Sequence, residues 1–264
     1  MSFIKSFSIQ AERKNPFPYN IDAVRHALNI QLDPDITFLV GENGSGKSTL
    51  LETLAYRLQL PLISGPIAGN RGIEAAVSLQ SSLEIEWGIK RTRGFFFRAE
   101  DFTDYVDSIG RANNKLDSQL KSLHGEVPEQ IIAQMKESSN FALREMRKMH
   151  GQDLLSFSHG EAYLKIIHDR IQGDGIYFLD EPEAALSPSR QLSLIYFIKE
   201  HLAKHSLSQF VIATHSPMLM ALPGASIYEI TEDSMEQVAL EDTTHYTITK
   251  GFLNDPNAYL RHLG

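Results

Sequence analysis

The chain of 264 residues contains no cysteine. Disulfide bonds, thiolate zinc sites and a cysteine nucleophile are therefore excluded. The sequence also lacks an apolar run near the roughly 20 residues that a membrane-spanning helix needs. Residues 1–9 alternate apolar and polar side chains instead of forming the apolar block of a signal peptide. We therefore expect a soluble, cytoplasmic protein.

Positively charged residues are also not in excess. Lys and Arg number 25 against 33 Asp and Glu, and the formal net charge is −8. Overall charge therefore does not hold the protein to nucleic acid, although a local basic patch can still bind phosphates. Two basic clusters are candidates for such a patch, and a solvated surface is the alternative interpretation. They comprise Lys90, Arg91, Arg93 and Arg98, and then Arg144, Arg147 and Lys148.

Strand-like and helical segments alternate along much of the chain. Short apolar runs at residues 36–40, 176–179 and 209–213 are typical of strands covered on both faces. Residues 48–60 and 188–203 have helical character. This alternation predicts an α/β fold in which a mostly parallel sheet is flanked by helices.

The remaining segments outside the centre of the chain are less regular. Alternation predicts a strand at residues 3–9, in which the charged Lys5 falls on the otherwise apolar face. Residues 21–32 are interpreted as a short helix or a mixed segment, and residues 61–75 as a loop. Further predicted elements are strands at residues 83–90 and 94–98, a hairpin of residues 227–230 and 235–240, an N-cap at Ser187 before Pro188, and a last helix opened by Asp255 and Pro256.

Between residues 101 and 150 the apolar residues fall at alternating spacings of three and four. Two such stripes, separated by Gly125 and Pro128, predict two amphipathic helices joined by a turn. We interpret residues 101–160 as a helical subdomain packed on the core. Within it, residues 101–150 are the natural surface for an unidentified protein partner.

A phosphate-binding pattern follows the first buried strand. Residues 41–48 fit G-x-x-x-x-G-K-[ST] at every defined position. The glycines let the backbone bend around a polyphosphate, so that its N–H groups and the helix N-terminus point at the anion. We expect Lys47 to reach the β- and γ-phosphates and the Ser48 hydroxyl to ligate magnesium. The residues predicted to hold the phosphates are Gly41, Asn43, Gly44, Ser45, Gly46, Lys47, Ser48 and Thr49.

Polar side chains follow the two later strands. Asp180 and Glu181 end the strand at residues 176–179, and His215 comes just after the strand at residues 209–213. Ligands of open α/β sheets bind at the carboxyl ends of the strands. We therefore predict that Asp180 holds magnesium, that Glu181 orients the attacking water, and that His215 bonds a γ-phosphate oxygen. A solvated acidic turn is the alternative for the two carboxylates.

Two further motifs give the pattern a family resemblance. Residues 156–161, Ser-Phe-Ser-His-Gly-Glu, resemble the signature motif of ATP-binding-cassette ATPases. Residues 181–188, Glu-Pro-Glu-Ala-Ala-Leu-Ser-Pro, resemble a loop of the non-transporter branch. That branch includes chromosome-maintenance and recombination-repair ATPases and the ATPase part of overcoming-lysogenization-defect nucleases. The whole chain is most similar to small bacterial predicted ATPases of the AAA family.

The resemblance implies the cofactors, the architecture and a partner. ATP and Mg²⁺ would bind a P-loop ATPase head that adds an antiparallel β subdomain and the helical subdomain to the main sheet. Two copies would stack head to tail, so that Ser158 and Gly160 of one cap the γ-phosphate held by the other. Residues 1–264 would form one domain, with an N-terminal lobe at 1–100, the helical subdomain at 101–160 and a C-terminal lobe at 161–264.

The sequence departs from the family pattern at three places. His159 replaces the first glycine of the signature motif. No glutamine stands where the family's glutamine loop should follow a strand, and there Glu100 can take over the contact with magnesium or water. The aromatic residue that stacks on adenine has no clear match, so that Phe17 and Tyr19 are the candidates.

The resemblance implies hydrolysis of ATP to ADP and phosphate, with ATP-driven dimerisation as a switch. The setting would be a cytoplasmic system such as DNA maintenance or phage defence. One alternative is the nucleotide-binding energy subunit of a membrane transporter, which the missing glutamine disfavours. Another is an ATP-gated scaffold without catalysis, which the intact Asp180 and Glu181 disfavour.

Overall fold

A computed structural model describes residues 2–10, 16–32, 35–62, 73–90, 93–102 and 159–261. The strands are β1 (Ile4–Ile9), β2 (Ile30–Gln31), β3 (Ile36–Gly41), β4 (Leu83–Trp87), β5 (Gly94–Arg98), β6 (Ile176–Asp180), β7 (Gln209–Ala213), β8 (Ser226–Ile230) and β9 (Met235–Val238). The helices are α1 (Asp22–Arg25), α2 (Lys47–Arg57), α3 (Ile73–Leu79), α4 (His159–Arg170), α5 (Pro188–Lys204), α6 (Pro217–Met220), α7 (Thr244–Asn254) and α8 (Pro256–Leu260). No helix within these ranges combines the length and the apolar character needed to cross a membrane.

Six strands form the main sheet in the order β5-β6-β7-β3-β8-β9. The first five are parallel to one another, and only β9 runs antiparallel to its neighbour β8. β3, β6 and β7 are buried at every position, because helices or other strands cover both faces. The predicted α/β fold with a mostly parallel sheet is therefore confirmed.

The two faces of the main sheet bound separate apolar cores. On one side Leu39 packs with the apolar face of α2 and with the β1 strand. On the other side Phe38 and Val40 pack with α4 and α5. Because successive strand residues point to opposite faces, the uninterrupted apolar run of β3 supplies both cores. This arrangement holds the strand ends, and the polar residues after them, along one edge of the sheet.

A second, antiparallel sheet has the order β2-β1-β4. The buried side chain of Gln209, the first residue of β7, ties this sheet to the main one. Its Oε1 accepts from Ile4 N at 2.9 Å, and its Nε2 donates to Ile4 O at 2.8 Å and also to Leu32 O. The amide thus satisfies three backbone groups that would otherwise be buried without partners.

Two local predictions needed correction, and one alternative left open by the sequence is decided. In β1 the pairing register with β4 shifts between Ile4 and Ser6, so that Lys5 is exposed and its Nζ lies 3.2 Å from Glu86 Oε1. The strict alternation predicted for residues 3–9 was therefore wrong at Lys5, because a bulge turns that side chain outward. Residues 21–32 form the mixed segment, α1 followed by β2, and α3 begins inside the predicted loop of residues 61–75.

The late hairpin is confirmed as the antiparallel pair β8 and β9. The predicted last helix is confirmed as α8, and the Asp255 side chain accepts a hydrogen bond from Ala258 N at 3.1 Å. By contrast, α7 was not predicted. The helical subdomain of residues 101–160 lies, apart from its first two and last two residues, outside the described residues and stays a prediction.

Candidate nucleotide-binding site

The predicted phosphate loop connects β3 to α2. Gly44 and Gly46 have φ angles of 86° and 94°, in the left-handed region that favours glycine. A Cβ atom at Gly46 would lie 2.1 Å from Ile21 Cγ2, whereas nothing lies within 4 Å of one at Gly44. The loop therefore needs glycine at Gly46 for two reasons, its backbone angle and its close packing on Ile21.

Lys47 begins α2 and is 4% exposed. Its Nζ donates hydrogen bonds to Gly41 O at 2.8 Å and to Glu42 O at 3.0 Å, so that the ammonium group lies over the loop. Burial lowers the pKa of Lys47, and the negative charges of Glu181 and Asp180 act in the opposite direction. The lysine thus concentrates positive charge where the sequence pattern predicts phosphates.

Ser48 and Asp180 meet beside the loop. Asp180 ends β6 and is 2% exposed, and its Oδ1 accepts a hydrogen bond from Ser48 Oγ at 3.1 Å. Burial raises the pKa of Asp180 to about 7, although the hydrogen bond from Ser48 acts to lower it. A buried carboxylate that is only partly compensated is suited to binding a cation.

The donor set fits magnesium. Mg²⁺ prefers oxygen ligands in an octahedron at 2.0–2.1 Å, where adjacent ligands lie about 2.9 Å apart. The Ser48 and Asp180 oxygens, 3.1 Å apart, match that spacing. Across the described residues, no group of three or more His, Asp or Glu side chains forms a complete metal site. Magnesium at this position would therefore take its other ligands from phosphate and water, as is usual for this ion.

Glu181 follows Asp180 and faces His215. Its φ angle of 47° is unusual for a residue other than glycine, and its backbone N donates to Ala213 O at 2.9 Å. The Glu181 side chain is 42% exposed, and its Oε1 lies 3.4 Å from His215 Nε2. A solvent-accessible carboxylate beside a buried one is suited to contacting water rather than a metal ion directly.

His215 is held from two further sides. Its backbone N donates to Glu183 Oε1 at 2.6 Å, and its Nδ1 lies 2.9 Å from His245 Nε2. Burial lowers the pKa of His215, and the positive charge of Lys47 acts in the same direction. His245 was not predicted from the sequence, because it lies in α7, thirty positions further along the chain and in a helix that no pattern indicated.

A cavity of about 360 Å³ opens beside Ser48 and Asp180. Glu100, predicted as a ligand of magnesium or water, lines this cavity but is exposed. Next to it, Arg98 is bound by Glu52 and by Asp101. Glu100 is thus in the right part of the molecule, and its contact with an ion stays a prediction.

Gly160, the second residue of α4, lies beside the segment after Glu181, since a Cβ atom there would lie 3.2 Å from Ala185 O and 2.9 Å from Arg190 Cδ. Ser158, its predicted companion in the signature motif, lies outside the described residues.

The two candidates for adenine stacking differ in their surroundings. The Tyr19 hydroxyl donates to Ser78 O at 3.0 Å, and its ring packs against the core. Phe17 is 67% exposed. Only Phe17 therefore keeps its ring face available for stacking on a base.

Comparison with known families supports the class of protein. Residues 97–221, just under half of the chain, match a family model described as "AAA domain, putative AbiEii toxin, Type IV TA system". This range includes Asp180, Glu181 and His215. The ABC transporter G family member STR2 of Medicago truncatula is 26% identical over 214 residues, which are 80% of this chain and 28% of that relative. The chain therefore spans less than a third of that transporter's length.

Two solved structures have a similar course of the chain. One is the Smc head domain of Pyrococcus furiosus, with 12% identity, a TM-score of 0.48 and coverage of 95% of this chain and 99% of that one. The other is cbiO1 of Clostridium perfringens, part of the ABC transporter complex cbiONQ, with 16% identity, a TM-score of 0.42 and coverage of 90% of each chain. At these identities the likeness concerns the fold alone.

Residues 97–221 thus match an AAA-type domain, and the chain has the mostly parallel α/β sheet and phosphate loop that the resemblance implied. Both findings are consistent with an ATPase of the ATP-binding-cassette type.

Proposed function

We propose that this chain binds ATP with Mg²⁺ and hydrolyses it to ADP and phosphate. The observation that carries the proposal is the contact of Ser48 Oγ with Asp180 Oδ1 at 3.1 Å, because it joins the phosphate loop to the carboxylate at the end of β6. Mg²⁺ bound there supplies positive charge to the phosphate oxygens. Ser48 and Asp180 hold the ion, and Lys47 adds the charge of its buried ammonium group.

Glu181 and His215 carry the rest of the proposed chemistry. The Glu181 carboxylate is exposed toward the cavity, where it accepts a hydrogen bond from the attacking water and orients it. His215 Nε2 is buried, and the Glu181 carboxylate that faces it at 3.4 Å makes no well-formed hydrogen bond with it, which leaves its N–H for a γ-phosphate oxygen. Phosphoryl transfer needs mostly positioning and charge neutralisation, and these side chains supply both.

ATP-dependent, head-to-tail dimerisation is the proposed switch. In one copy Gly160 lies beside Ala185, which lines the cavity together with Ser48. A second copy can therefore present its Ser158 and Gly160 to the γ-phosphate. Hydrolysis removes that phosphate and releases the pair, so that ATP biases a two-state equilibrium.

The cellular setting is proposed as phage defence or DNA maintenance in the non-transporter branch. The matched family is described as a toxin of a toxin–antitoxin system, which supports a defence role. The alternative of a transporter energy subunit rests on the relative that is an ABC transporter. In either setting, residues 101–150 are the proposed surface for a protein partner, and nucleic acid is a further candidate.

The test compares the purified wild-type chain with Glu181→Gln. We expect the variant to retain ATP but to turn over about 100-fold or more slowly, because it loses a key contact of the transition state. Saturating ATP and Mg²⁺ should trap it as a dimer in light scattering. Glu236→Gln, on the exposed side of β9, is the matched control and should behave as wild type.

Two further variants separate the steps. Lys47→Ala should abolish nucleotide binding, whereas Ser158→Arg should leave binding by the monomer intact but prevent both the dimer and turnover. A Glu181→Gln protein that stays monomeric at saturating ATP would contradict the switch. A wild-type protein that binds ATP and dimerises without turnover would favour the scaffold instead.

A further inference from the structure

His245, in the C-terminal part of the chain, contacts His215, the residue proposed to bind the γ-phosphate. His245 Nε2 lies 2.9 Å from His215 Nδ1, and the two ring centroids are 4.9 Å apart. His245 belongs to the first turn of α7, which directly follows the β8–β9 hairpin and a short 3₁₀ turn. Nothing in the proposed chemistry uses this side chain yet.

The position of His245 is fixed by the start of its helix. Thr243 is fully buried and caps α7, because its Oγ1 accepts from Tyr246 N at 3.3 Å and donates to Leu240 O at 2.8 Å. The next residue, Thr244, donates its backbone N–H to Glu229 Oε1 at 2.9 Å. His245 is therefore anchored on both sides by its neighbours and is not a loose surface group.

Counting protons in this arrangement leaves one consistent assignment. A neutral imidazole has one N–H donor and one acceptor nitrogen. His215 Nε2 faces the Glu181 carboxylate, which only accepts, and therefore carries the proton. His215 Nδ1 must then accept, so that His245 Nε2–H is the donor. His245 Nδ1, which is buried and has no hydrogen-bond partner among the described residues, is correspondingly the nitrogen without a proton.

We infer that His245 is a positioning residue for ATP hydrolysis: its Nε2–H donates to His215 Nδ1 and thereby fixes the tautomer and ring orientation of His215. The inference rests on the proposed function. With the proton held on Nε2, His215 always presents a donor to the γ-phosphate. The partner of the second ring nitrogen sets the tautomer in the same way around metal-binding histidines. The contact also links α7 to the catalytic edge of the sheet.

The test compares His245→Gln with His245→Leu, two side chains of similar volume. The Gln amide nitrogen reaches about as far as Nε2 and can donate to His215, whereas Leu cannot. We expect kcat to fall on the order of 10-fold to 100-fold in the Leu variant, the usual loss for such supporting contacts, with the affinity for ATP within twofold of wild type. The Gln variant should recover most of the rate. In a His215→Ala background, His245→Leu should have no further effect.

A second measurement does not depend on turnover. In nucleotide-free protein with ¹⁵N-labelled histidine at pH 8, well above the ordinary histidine pKa, correlation spectra should show His215 as the Nε2–H tautomer. In His245→Leu only the partly exposed Glu181 carboxylate, 3.4 Å away, still favours the Nε2–H form, so that the Nδ1–H tautomer should appear beside it. An unchanged tautomer in the Leu variant, or a Gln variant as slow as the Leu variant, would overturn the inference. If wild type hydrolyses no ATP, the proposed function fails, but the tautomer comparison still tests this contact.

Discussion

Replacing Asp180 by asparagine should stabilise the nucleotide-free protein even as it removes magnesium-dependent turnover. Asp180 is buried at the end of β6, and burial raises its pKa from the ordinary 3.8 to about 7. The folded state therefore favours the protonated form. That stabilisation is complete below pH 3.8 and is lost as the pH rises through about 7.

The size of the effect follows from the same two values. Each pH unit between the ordinary pKa of 3.8 and the folded-state pKa of about 7 is worth about 1.4 kcal/mol. The unfolding free energy of wild type is therefore lower than at acid pH by about 4 kcal/mol above pH 7 and by about 2 kcal/mol at pH 5. Asparagine does not ionise, and its amide oxygen can still accept from Ser48. The cost of burying asparagine does not depend on pH. The advantage of Asp180→Asn over wild type in unfolding free energy should therefore grow by about 2 to 3 kcal/mol between pH 5 and pH 8.

Urea unfolding of both proteins at pH 5 and pH 8, without nucleotide, measures this difference. Asp233→Asn, at an exposed position, is the control. Its unfolding free energy should change between pH 5 and pH 8 by as much as that of wild type. The reasoning fails if Asp180→Asn is the less stable protein at pH 8, or if its advantage over wild type is equal at the two pH values.

Two other predictions concern stability. Gly44→Ala should cost about 1 kcal/mol for its backbone angle alone, whereas Gly46→Ala should cost about 2 to 4 kcal/mol, because its Cβ also meets Ile21. Thermal unfolding compares the two, and Ile21→Ala should restore part of the stability of Gly46→Ala but none of Gly44→Ala. Gln209→Leu should lose about 3 kcal/mol or more in urea unfolding, because buried backbone groups of Ile4 and Leu32 lose their partner. Gln237→Leu, at an exposed position, loses only the hydrogen bond to Ser226 Oγ at 3.1 Å and should cost about 1 kcal/mol, and equal losses in the two glutamine variants would contradict the bridging role.

The sequence predicted the parts of the candidate site that depend on local order along the chain. The glycine spacing of residues 41–48 marks a strand, a tight loop and a helix start, and the structure has all three there. Asp180 and His215 were singled out because each follows an apolar run, and parallel strands bring such ends to one edge. The helix begins at Pro188 as predicted, with Ser187 at the cap position, although the Ser187 side chain makes no capping hydrogen bond.

Other features needed the tertiary structure, because they depend on residues far apart in the chain. The bulge that turns Lys5 outward arises from the pairing of β1 with β4. His245 reaches His215 only because the β8–β9 hairpin returns the chain to the edge of the main sheet and starts α7 there. Alternation and helical spacing record which side of its own element a residue faces. They do not record which element packs against that side, and that packing alone brings the second histidine to the site.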